Sequence, residues 1–457
     1  MMELTCLEAA KACGGIFYGT DKEGSRLIAG VERDSRKIEK DWLFVATVGE
    51  RADGHSYIPQ VFEKQAACVV SEKLLNPAPG PYIYVKDSLQ ALKEIAAYDR
   101  SKFEAKVIGI TGSVGKTSTK EMIASVLGVK YQTAKTKGNY NNEVGVPLTL
   151  LSVSDIDEMA VVEMGISDFG EMHRLGKMAR PDLMVITNIG QCHLENLKTR
   201  DGILKAKTEV FDEMDEKSEV VLNMDDDKLR TISSVHGKKP YFFSKNNKEA
   251  DAYATDVENL GLYGSHCVIH IGKENVKVHV PLPGEHMVLN AIAAALTGYL
   301  SGLTMEEIAE GIARAEAVDG RGKRIQTECY TLLDECYNAN PGSMRAALDL
   351  LALANTRKAA ILGDMFELGE NTEEMHRQIG AYAAEKGIDV IICVGTLAAY
   401  MADGAKQAGA KEVYLFADQK TFLEKEKQIL KTGDSVLLKA SHGMHFEDLL
   451  KVLQTEA

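Results

Sequence analysis

The sequence predicts an α/β protein with three domains: a small N-terminal α/β cap, a central parallel-sheet domain and a C-terminal doubly wound domain. Three observations support this fold class. The chain has 457 residues, which is too long for a single hydrophobic core. Its first part mixes short strand-like runs with polar turns, and farther along apolar strand-like runs alternate with helical patterns. Such alternation is typical of parallel sheets covered by helices.

Changes along the chain in the pattern of strand-like, helical and turn-rich segments predict the domain boundaries. A proline-rich stretch, Asn76–Pro81, and a short strand, Tyr82–Val85, close the first region. The central region opens with the buried strand Lys106–Thr111, and shorter β-like pieces follow Asp251. Regular strand–helix units then begin at Tyr330, which predicts a Rossmann-like sheet with helices on both faces. We therefore expect domains at residues 1–85, 86–318 and 319–457.

Composition narrows the class of function. The net charge of −14 argues against nucleic-acid partners, which usually meet a basic surface. The eight cysteines include no C-x-x-C pair, so neither a zinc site nor a disulfide scaffold is expected. The N-terminus lacks a basic segment followed by an apolar stretch, and no apolar run is long enough to cross a bilayer. We expect a cytoplasmic, monomeric protein that does not insert into membranes.

The segment Thr111–Ser118 (TGSVGKTS) carries the most specific motif of the chain. It follows a strand directly and opens a helical pattern, Lys116–Leu127, so backbone N–H groups and the helix N-terminus can converge on a phosphate. Lys116 is expected at the β- and γ-phosphates of ATP, and the Thr117 hydroxyl at Mg²⁺. The expected nucleotide-binding residues of this loop are Gly112, Ser113, Val114, Gly115, Lys116, Thr117 and Ser118. A tight strand-to-helix turn without a ligand is the alternative, because Ile110 occupies the position of the usual first glycine.

This shortened loop resembles that of the Mur ligases and of the related folylpolyglutamate synthetases, which makes the central domain a P-loop-type ATPase domain. Further segments are similar to Mur ligases in the same order along the chain. They are Asp34–Arg36, Asp53–His55, Thr136–Leu150 (TKGNYNNEVGVPLTL), Tyr337–Pro341 (YNANP), Leu362–Gly369 (LGDMFELG) and Val436–Ala440 (VLLKA). The resemblance implies an ATP-dependent ligase that joins UDP-N-acetylmuramoyl-tripeptide to D-alanyl-D-alanine through an acyl phosphate.

The resemblance also implies a set of metal ligands. Glu163 ends an apolar strand, which places its carboxylate at the sheet edge where ligands collect. With Thr117 it would ligate Mg²⁺, and His193 would ligate a second ion. In the family a lysine of the following helix is carbamylated and becomes a metal ligand, and the pattern points to Lys207. A solvated basic face, with Lys205 paired to the glutamate four residues on, is the alternative for that helix.

Other site residues also follow from the resemblance. For the adenine, the family uses two asparagines, of which the first is Met287 in this chain and the second is Asn290. Either Arg321 or Arg324 would approach the phosphates, and the catalytic residues would be Lys116, Lys207, His193 and Arg321. Asp334 is expected at the nucleotide. Expected substrate contacts are Ser35, Arg36, Asp53 and His55 at the UDP end, and Asn139, Asn141, Asn142, Asn338 and Asn340 elsewhere.

Two other functions compete with this interpretation. One is a different Mur ligase, or an enzyme like folylpolyglutamate synthetase, that adds a single amino acid. The other is a nucleotide-binding switch without ligase chemistry. The YNANP and TKGNYNN segments argue against the first, and the combination of Glu163, His193 and Lys207 argues against the second.

Overall fold

The computed structural model describes residues 4–49, 52–190, 192–317, 320, 322–366 and 368–455. Its strands are β1 Ile16–Tyr18, β2 Gly30–Glu32, β3 Trp42–Val45, β4 Cys68–Ser71, β5 Tyr82–Tyr84, β6 Lys106–Thr111, β7 Thr133–Lys135, β8 Met159–Glu163, β9 Leu183–Ile186, β10 Glu219–Asn223, β11 Tyr241–Ser244, β12 Ala252–Asn259, β13 Ser265–Ile271, β14 Glu274–Val280, β15 Lys323–Gln326, β16 Thr331–Asp334, β17 Lys358–Gly363, β18 Val390–Val394, β19 Glu412–Phe416 and β20 Ser435–Lys439.

The α-helices are α1 Cys6–Ala12, α2 Asp21–Gly24, α3 Ile58–Glu63, α4 Ser88–Arg100, α5 Lys116–Leu127, α6 Gly145–Leu150, α7 Glu171–Ala179, α8 Leu194–Leu197, α9 Arg200–Thr208, α10 Glu285–Leu300, α11 Met305–Ala313, α12 Pro341–Ala352, α13 Thr372–Glu385, α14 Ala398–Gln407, α15 Gln419–Leu423, α16 Glu426–Ile429 and α17 Phe446–Thr455. Short 3₁₀ segments lie at Gly54–Tyr57, Glu209–Glu213, Leu229–Thr231, Gly261–Tyr263, Gly369–Asn371 and His442–Met444. Within the described ranges, no helix is both long enough and apolar enough to span a membrane.

The chain divides into two compact units. The first comprises Met1–Thr255, Ile269–Val276 and Leu289–Ile312, and the second comprises Asp256–Val268, Lys277–Val288 and Ala313–Ala457. Three sheets are present, which confirms the predicted three-domain α/β class. The boundaries at residues 85 and 318 remain predictions.

The N-terminal sheet of the first unit has the order β1-β5-β4-β3-β2. Its pairs are parallel except β1 with β5, which is antiparallel. Alternate residues of β3 point to opposite faces: Leu43 packs with helices α1 and α4, and Phe44 packs with α3. Because both faces are covered, the run is apolar throughout, as a parallel strand requires.

The central sheet has the order β14-β13-β12-β11-β10-β9-β6-β8-β7. Strand β6 pairs in parallel with β8 on one side and β9 on the other, so the carboxyl ends of these three strands meet at one edge. Strand β9 ends at Ile186. Directly after it, Thr187 and Asn188 turn their polar groups to the loop after β6.

The C-terminal sheet has the order β15-β16-β20-β17-β18-β19, with β15 antiparallel and the other pairs parallel. On one face Ala360 and Leu362 pack in a cluster with helices α12, α13 and α14. On the other face Ala359 and Ile361 pack with α15, α16 and α17. Helices on both faces confirm the predicted doubly wound, Rossmann-like arrangement.

The buried carboxyl of Asp99 in α4 yields a prediction about stability. Burial, opposed by the Lys102 charge and assisted by the Asp155 carboxylate, raises its pKa from 3.8 to about 6. The folded state therefore binds the proton more tightly than the unfolded state, and the free energy of unfolding falls as pH rises from about 4 through about 6. Asp99→Asn removes the buried charge and should stabilise the protein by about 1 to 3 kcal/mol at pH near 7.5.

Thermal melting at about pH 7.5 and pH 4 checks this, with the low-pH measurement as internal control. The melting temperature should rise at the higher pH and change little at the lower one. An equal shift at both values, or none, would contradict the assignment.

Candidate functional site

The loop between β6 and α5 is built on two glycines of the first unit. A Cβ on Gly112 would lie 1.9 Å from the Thr187 hydroxyl oxygen, so only glycine fits there. Gly115 has a φ of +82°, in the left-handed region, and forms the N-cap of α5. No described side chain caps this helix end, so its backbone N–H groups and positive dipole face the mouth of the loop. This is the geometry of an anion site.

The segment after β9 braces the loop. The backbone N–H groups of Ser113 and Val114 donate to the carbonyl and side-chain oxygens of Asn188, each at 3.0 Å. The Val114 carbonyl accepts from the Thr187 hydroxyl at 2.8 Å and from the Asn188 amide at 2.9 Å. These two loop residues, predicted as phosphate contacts, therefore use their N–H groups to fix the loop. Sequence reasoning missed Asn188, although a Thr-Asn pair directly after a strand at this edge was a usable signal.

Lys116 and Asn290 lie beside the same loop. The Lys116 ammonium donates to the Gly112 carbonyl at 2.8 Å, which places a cation over the loop. The side-chain oxygen of Asn290 lies 3.8 Å from the position that a Cβ would take on Gly115. Ser118, the third residue of α5, is partly buried in the first turn of the helix. The predicted nucleotide residues of this unit thus surround one helix N-terminus.

Glu163 is the buried acid of the site, with 1% of its surface exposed. One of its carboxylate oxygens accepts from the Thr117 hydroxyl at 3.2 Å and from the Asn141 amide at 2.7 Å. The other oxygen accepts no hydrogen bond from any described residue and lies 3.8 Å from Lys120 Nζ. A buried carboxylate oxygen without a donor, next to a hydroxyl, fits a divalent cation that prefers oxygen ligands.

Lys207 is a second buried charge, with 1% of its surface exposed. Burial, followed by the nearby Lys116 charge, lowers the pKa of its amine to about 8. Desolvation, and then the charges of Lys207 and Lys116, also lower the pKa of His193. These shifts place Lys207, Lys116 and His193 in one electrostatic neighbourhood.

Lys205, two residues earlier in α9, is exposed. The alternative interpretation of this helix paired Lys205 with Glu209. In the structure the Glu209 carboxylate accepts from the Gly170 N–H instead, at 3.0 and 2.9 Å. Among the described residues no three His, Cys, Asp or Glu side chains are grouped as a metal site requires.

A cleft of about 1020 Å³ lies in the same unit and joins residues predicted to contact substrate. Its lining includes Ser35, Arg36, Asn139 and Asn142. The Arg36 guanidinium is held by Asp34 through bonds of 2.9 and 2.8 Å, and this contact holds the Asp34 pKa down at about 2. The cleft therefore combines cationic, amide and hydroxyl groups, as a phosphorylated sugar ligand requires.

Asp53 and His55, by contrast, do not line the cleft. The Asp53 carboxylate bonds the His55 ring at 2.6 Å and Lys73 Nζ at 2.6 Å. The other ring nitrogen of His55 accepts from Glu72 N–H at 3.0 Å. This network fixes the cap loop 52–55, so the two residues support the cleft wall through Gly54, which does line it.

In the second unit, the predicted residues lie at the carboxyl ends of β16 and β20. Both carboxylate oxygens of Asp334 accept backbone N–H groups, from Gly320 at 2.8 Å and from Cys336 at 3.1 Å. The buried Lys439 donates to the Asn338 carbonyl at 2.9 Å. Asn340 caps α12 through Ser343 N–H at 2.8 Å, so its side chain has a structural task.

Arg324 follows the first residue of strand β15 and belongs to the second unit. The Arg324 guanidinium stacks on the Tyr263 ring with its carbon 4.2 Å from the ring centre. Arg321 lies outside the described residues.

Comparison with known proteins gives three family models that match successive parts of the chain. Residues 27–100 match "Mur ligase family, catalytic domain", residues 110–298 match "Mur ligase middle domain", and residues 320–442 match "Mur ligase, glutamate ligase domain". The chain is 36% identical to the UDP-N-acetylmuramoyl-tripeptide--D-alanyl-D-alanine ligase of Bacillus subtilis, over 99% of each chain.

Two solved structures are also similar. MurF from Acinetobacter baumannii has a TM-score of 0.88 at 32% identity, with 99% of this chain and 98% of that one covered. MurF ligase from Thermotoga maritima in complex with ADP has a TM-score of 0.77 at 28% identity, with 93% and 97% covered.

The close contact at Gly112 predicts the effect of adding one methyl group. Gly112→Ala places a Cβ against the Thr187 hydroxyl, and this clash must displace the loop together with its N–H groups. The affinity for ATP should therefore fall about tenfold or more. Calorimetric titration with ATP measures this. Gly237→Ala is the matched control, because Gly237 also has a positive φ, of +76°, but open space around it. Equal ATP affinity for the Gly112 variant and the native protein would rule out the loop as the phosphate site.

Proposed function

We propose that this chain, which belongs to the Mur ligase family, is an ATP-dependent ligase that joins D-alanyl-D-alanine to UDP-N-acetylmuramoyl-tripeptide in peptidoglycan precursor synthesis. The observation that carries the proposal is the arrangement of groups at the carboxyl edge of the central sheet. There an uncapped helix N-terminus, Lys116 and the buried carboxylate of Glu163 lie beside a large polar cleft.

The reaction has two steps that balance without an external oxidant or reductant. A carboxylate oxygen of the tripeptide attacks the γ-phosphorus of ATP, the bond to the ADP oxygen breaks, and an acyl phosphate forms. The amine of the dipeptide then attacks the carbonyl carbon, the C–O bond to phosphate breaks, and the nitrogen loses a proton. The helix N-terminus and Lys116 stabilise the charge that builds on the transferring phosphoryl group.

Mg²⁺ is part of the proposal, and the described residues fit it. Glu163 and Thr117 would hold the ion that accompanies ATP, because the second Glu163 oxygen is buried without a donor. When bound, Mg²⁺ neutralises charge on the phosphates. His193 and a carbamylated Lys207 would hold a second ion.

The surroundings of Lys207 support its modification. Its pKa of about 8 means that more of the amine is neutral near pH 7.5 than for an ordinary lysine, and only the neutral amine attacks CO₂. The nitrogen forms a bond to the carbon of CO₂ and releases a proton, which leaves an anionic carbamate. A buried cation next to Lys116 would thereby become an oxygen ligand, in a region where grouped acidic ligands are missing among the described residues.

The proposal extends to the remaining sites and to the setting of the enzyme. The cleft that contains Ser35 and Arg36 would bind the UDP end. The C-terminal domain, with Asp334, Asn338 and either Arg321 or Arg324, would accept the dipeptide. We further propose domain limits at residues 85 and 318. We also propose that the protein is a monomer and that it is cytoplasmic, a location that agrees with the use of ATP.

Phosphate release from ATP tests the function directly. Release should require both UDP-N-acetylmuramoyl-tripeptide and D-alanyl-D-alanine, with tripeptides ending in diaminopimelate or lysine assayed in parallel. Single amino acids in place of the dipeptide serve as controls, since a ligase that adds one residue would prefer them. Turnover that is independent of any amine would instead indicate a nucleotide switch and would contradict the proposal.

Variants of the two lysines in α9 test the carbamate. Lys207→Ala should reduce turnover by at least about a hundredfold, because a metal ligand is lost, and small added carboxylates should restore part of it. Lys205→Ala, at the exposed neighbouring lysine, should stay within about twofold of native turnover. Independently of activity, ¹³C NMR of protein equilibrated with ¹³CO₂ should show a carbamate signal that Lys207→Ala lacks. Full activity of Lys207→Ala, or the same signal in both proteins, would contradict the role.

A further inference from the structure

Lys120 is a fully buried lysine that does not line the cleft and whose ammonium lies 3.8 Å from the second carboxylate oxygen of Glu163. It lies in α5, one turn beyond the phosphate loop, with 0% of its surface exposed. Its ammonium donates to the Thr136 carbonyl at 2.8 Å and to the Gly138 carbonyl at 3.4 Å. It also forms an ion pair with Glu121 at 2.9 Å. Taking an ammonium out of water is unfavourable, so a lysine kept at such a place needs these partners.

The two carbonyls belong to the segment 136–142, which connects the site acid to the cleft. At its start, the Thr136 hydroxyl accepts from Glu163 N–H at 2.9 Å. Farther along, Asn139 and Asn142 line the cleft. Lys120 therefore fixes the first residues of a segment whose later residues line the cleft.

Stability alone does not explain a lysine at this position. Methionine has a similar length and no charge to desolvate, and losing one partner of a buried ion pair is most costly where the remaining charge is left without other partners. Glu121 would keep a second partner, because it also pairs with Lys135. Glu163 would keep its bonds from Thr117 and Asn141. Methionine cannot replace the bonds to the two carbonyls, and these are the contacts of Lys120 that reach the segment 136–142; its ion pairs go to Glu121 and Glu163.

We propose that Lys120 is a positioning residue that holds segment 136–142 in the conformation that binds the UDP-linked substrate. This rests on the proposed function of the cleft. The lysine acts through the backbone of the segment and does not touch substrate. It joins the helix of the phosphate loop to one wall of the cleft, so it sets the affinity for the UDP-linked substrate rather than that for ATP.

Steady-state kinetics of Lys120→Met test the proposal. The KM for UDP-N-acetylmuramoyl-tripeptide should rise about tenfold or more, while the KM for ATP, measured at saturating Mg²⁺, stays within about twofold. Lys120→Arg, which keeps charge and donors, should recover part of the affinity. Lys135→Met is the matched control, because it removes the other partner of Glu121 from an exposed position and leaves the carbonyls bonded. It should match the native enzyme.

Hydrogen exchange measured on the same proteins gives a readout that does not depend on activity. Lys120→Met should speed exchange in residues 136–145 and leave residues 112–118 unchanged. Native turnover with an unchanged KM in Lys120→Met, an equal rise in both KM values, or a variant that fails to fold would each overturn the positioning role. Absence of turnover in the native enzyme would contradict the proposed function instead, and the exchange data would still decide the role of Lys120.

Discussion

The buried carboxylate of Glu163 is the interaction on which the site depends. A carboxylate with 1% exposure is unfavourable unless its oxygens are matched, and two separate elements supply donors to one of them. Helix α5 brings Thr117 and the segment before α6 brings Asn141, while the backbone N–H of Glu163 donates to the Thr136 hydroxyl. One acid therefore fixes the phosphate helix and the cleft wall relative to each other. Its second oxygen remains for a cation.

Lys116, Lys207 and His193 form one electrostatic neighbourhood. Burial and then the Lys116 charge lower the pKa of the Lys207 amine, and burial and then both lysine charges lower the pKa of His193. Such a concentration of positive charge is unfavourable by itself, but it suits a site that brings a carboxylate and ATP together. The proposed carbamate relieves the repulsion at Lys207 and keeps Lys116 for the phosphates.

The sequence predicted the elements that depend on local signals. Strand β6, the glycine loop and helix α5 lie where the motif placed them, because a strand, two glycines and a helix start are encoded within 22 consecutive residues, 106–127. The doubly wound C-terminal sheet also followed from strand–helix alternation. Glu163 could be placed at the sheet edge because it directly ends an apolar run.

Features that depend on tertiary contacts could not be predicted in the same way. The brace from Asn188 requires β9 to lie next to β6, which no local pattern specifies. The burial of Lys120 depends on carbonyls 16 and 18 residues away. Asp53 and His55, whose contacts with substrate stay a prediction, bond each other and their neighbours at the cleft wall. Polar residues in a motif can thus serve the site by fixing its backbone.

Isotope transfer tests the central claim, ligation through an acyl phosphate, most directly. UDP-N-acetylmuramoyl-tripeptide labelled with ¹⁸O in its terminal carboxylate is incubated with ATP, Mg²⁺ and D-alanyl-D-alanine, and the released phosphate is analysed by mass spectrometry. Each phosphate should carry one oxygen from the labelled carboxylate, in step with formation of the amide. Phosphate without label, formed while the amide accumulates, would contradict the mechanism.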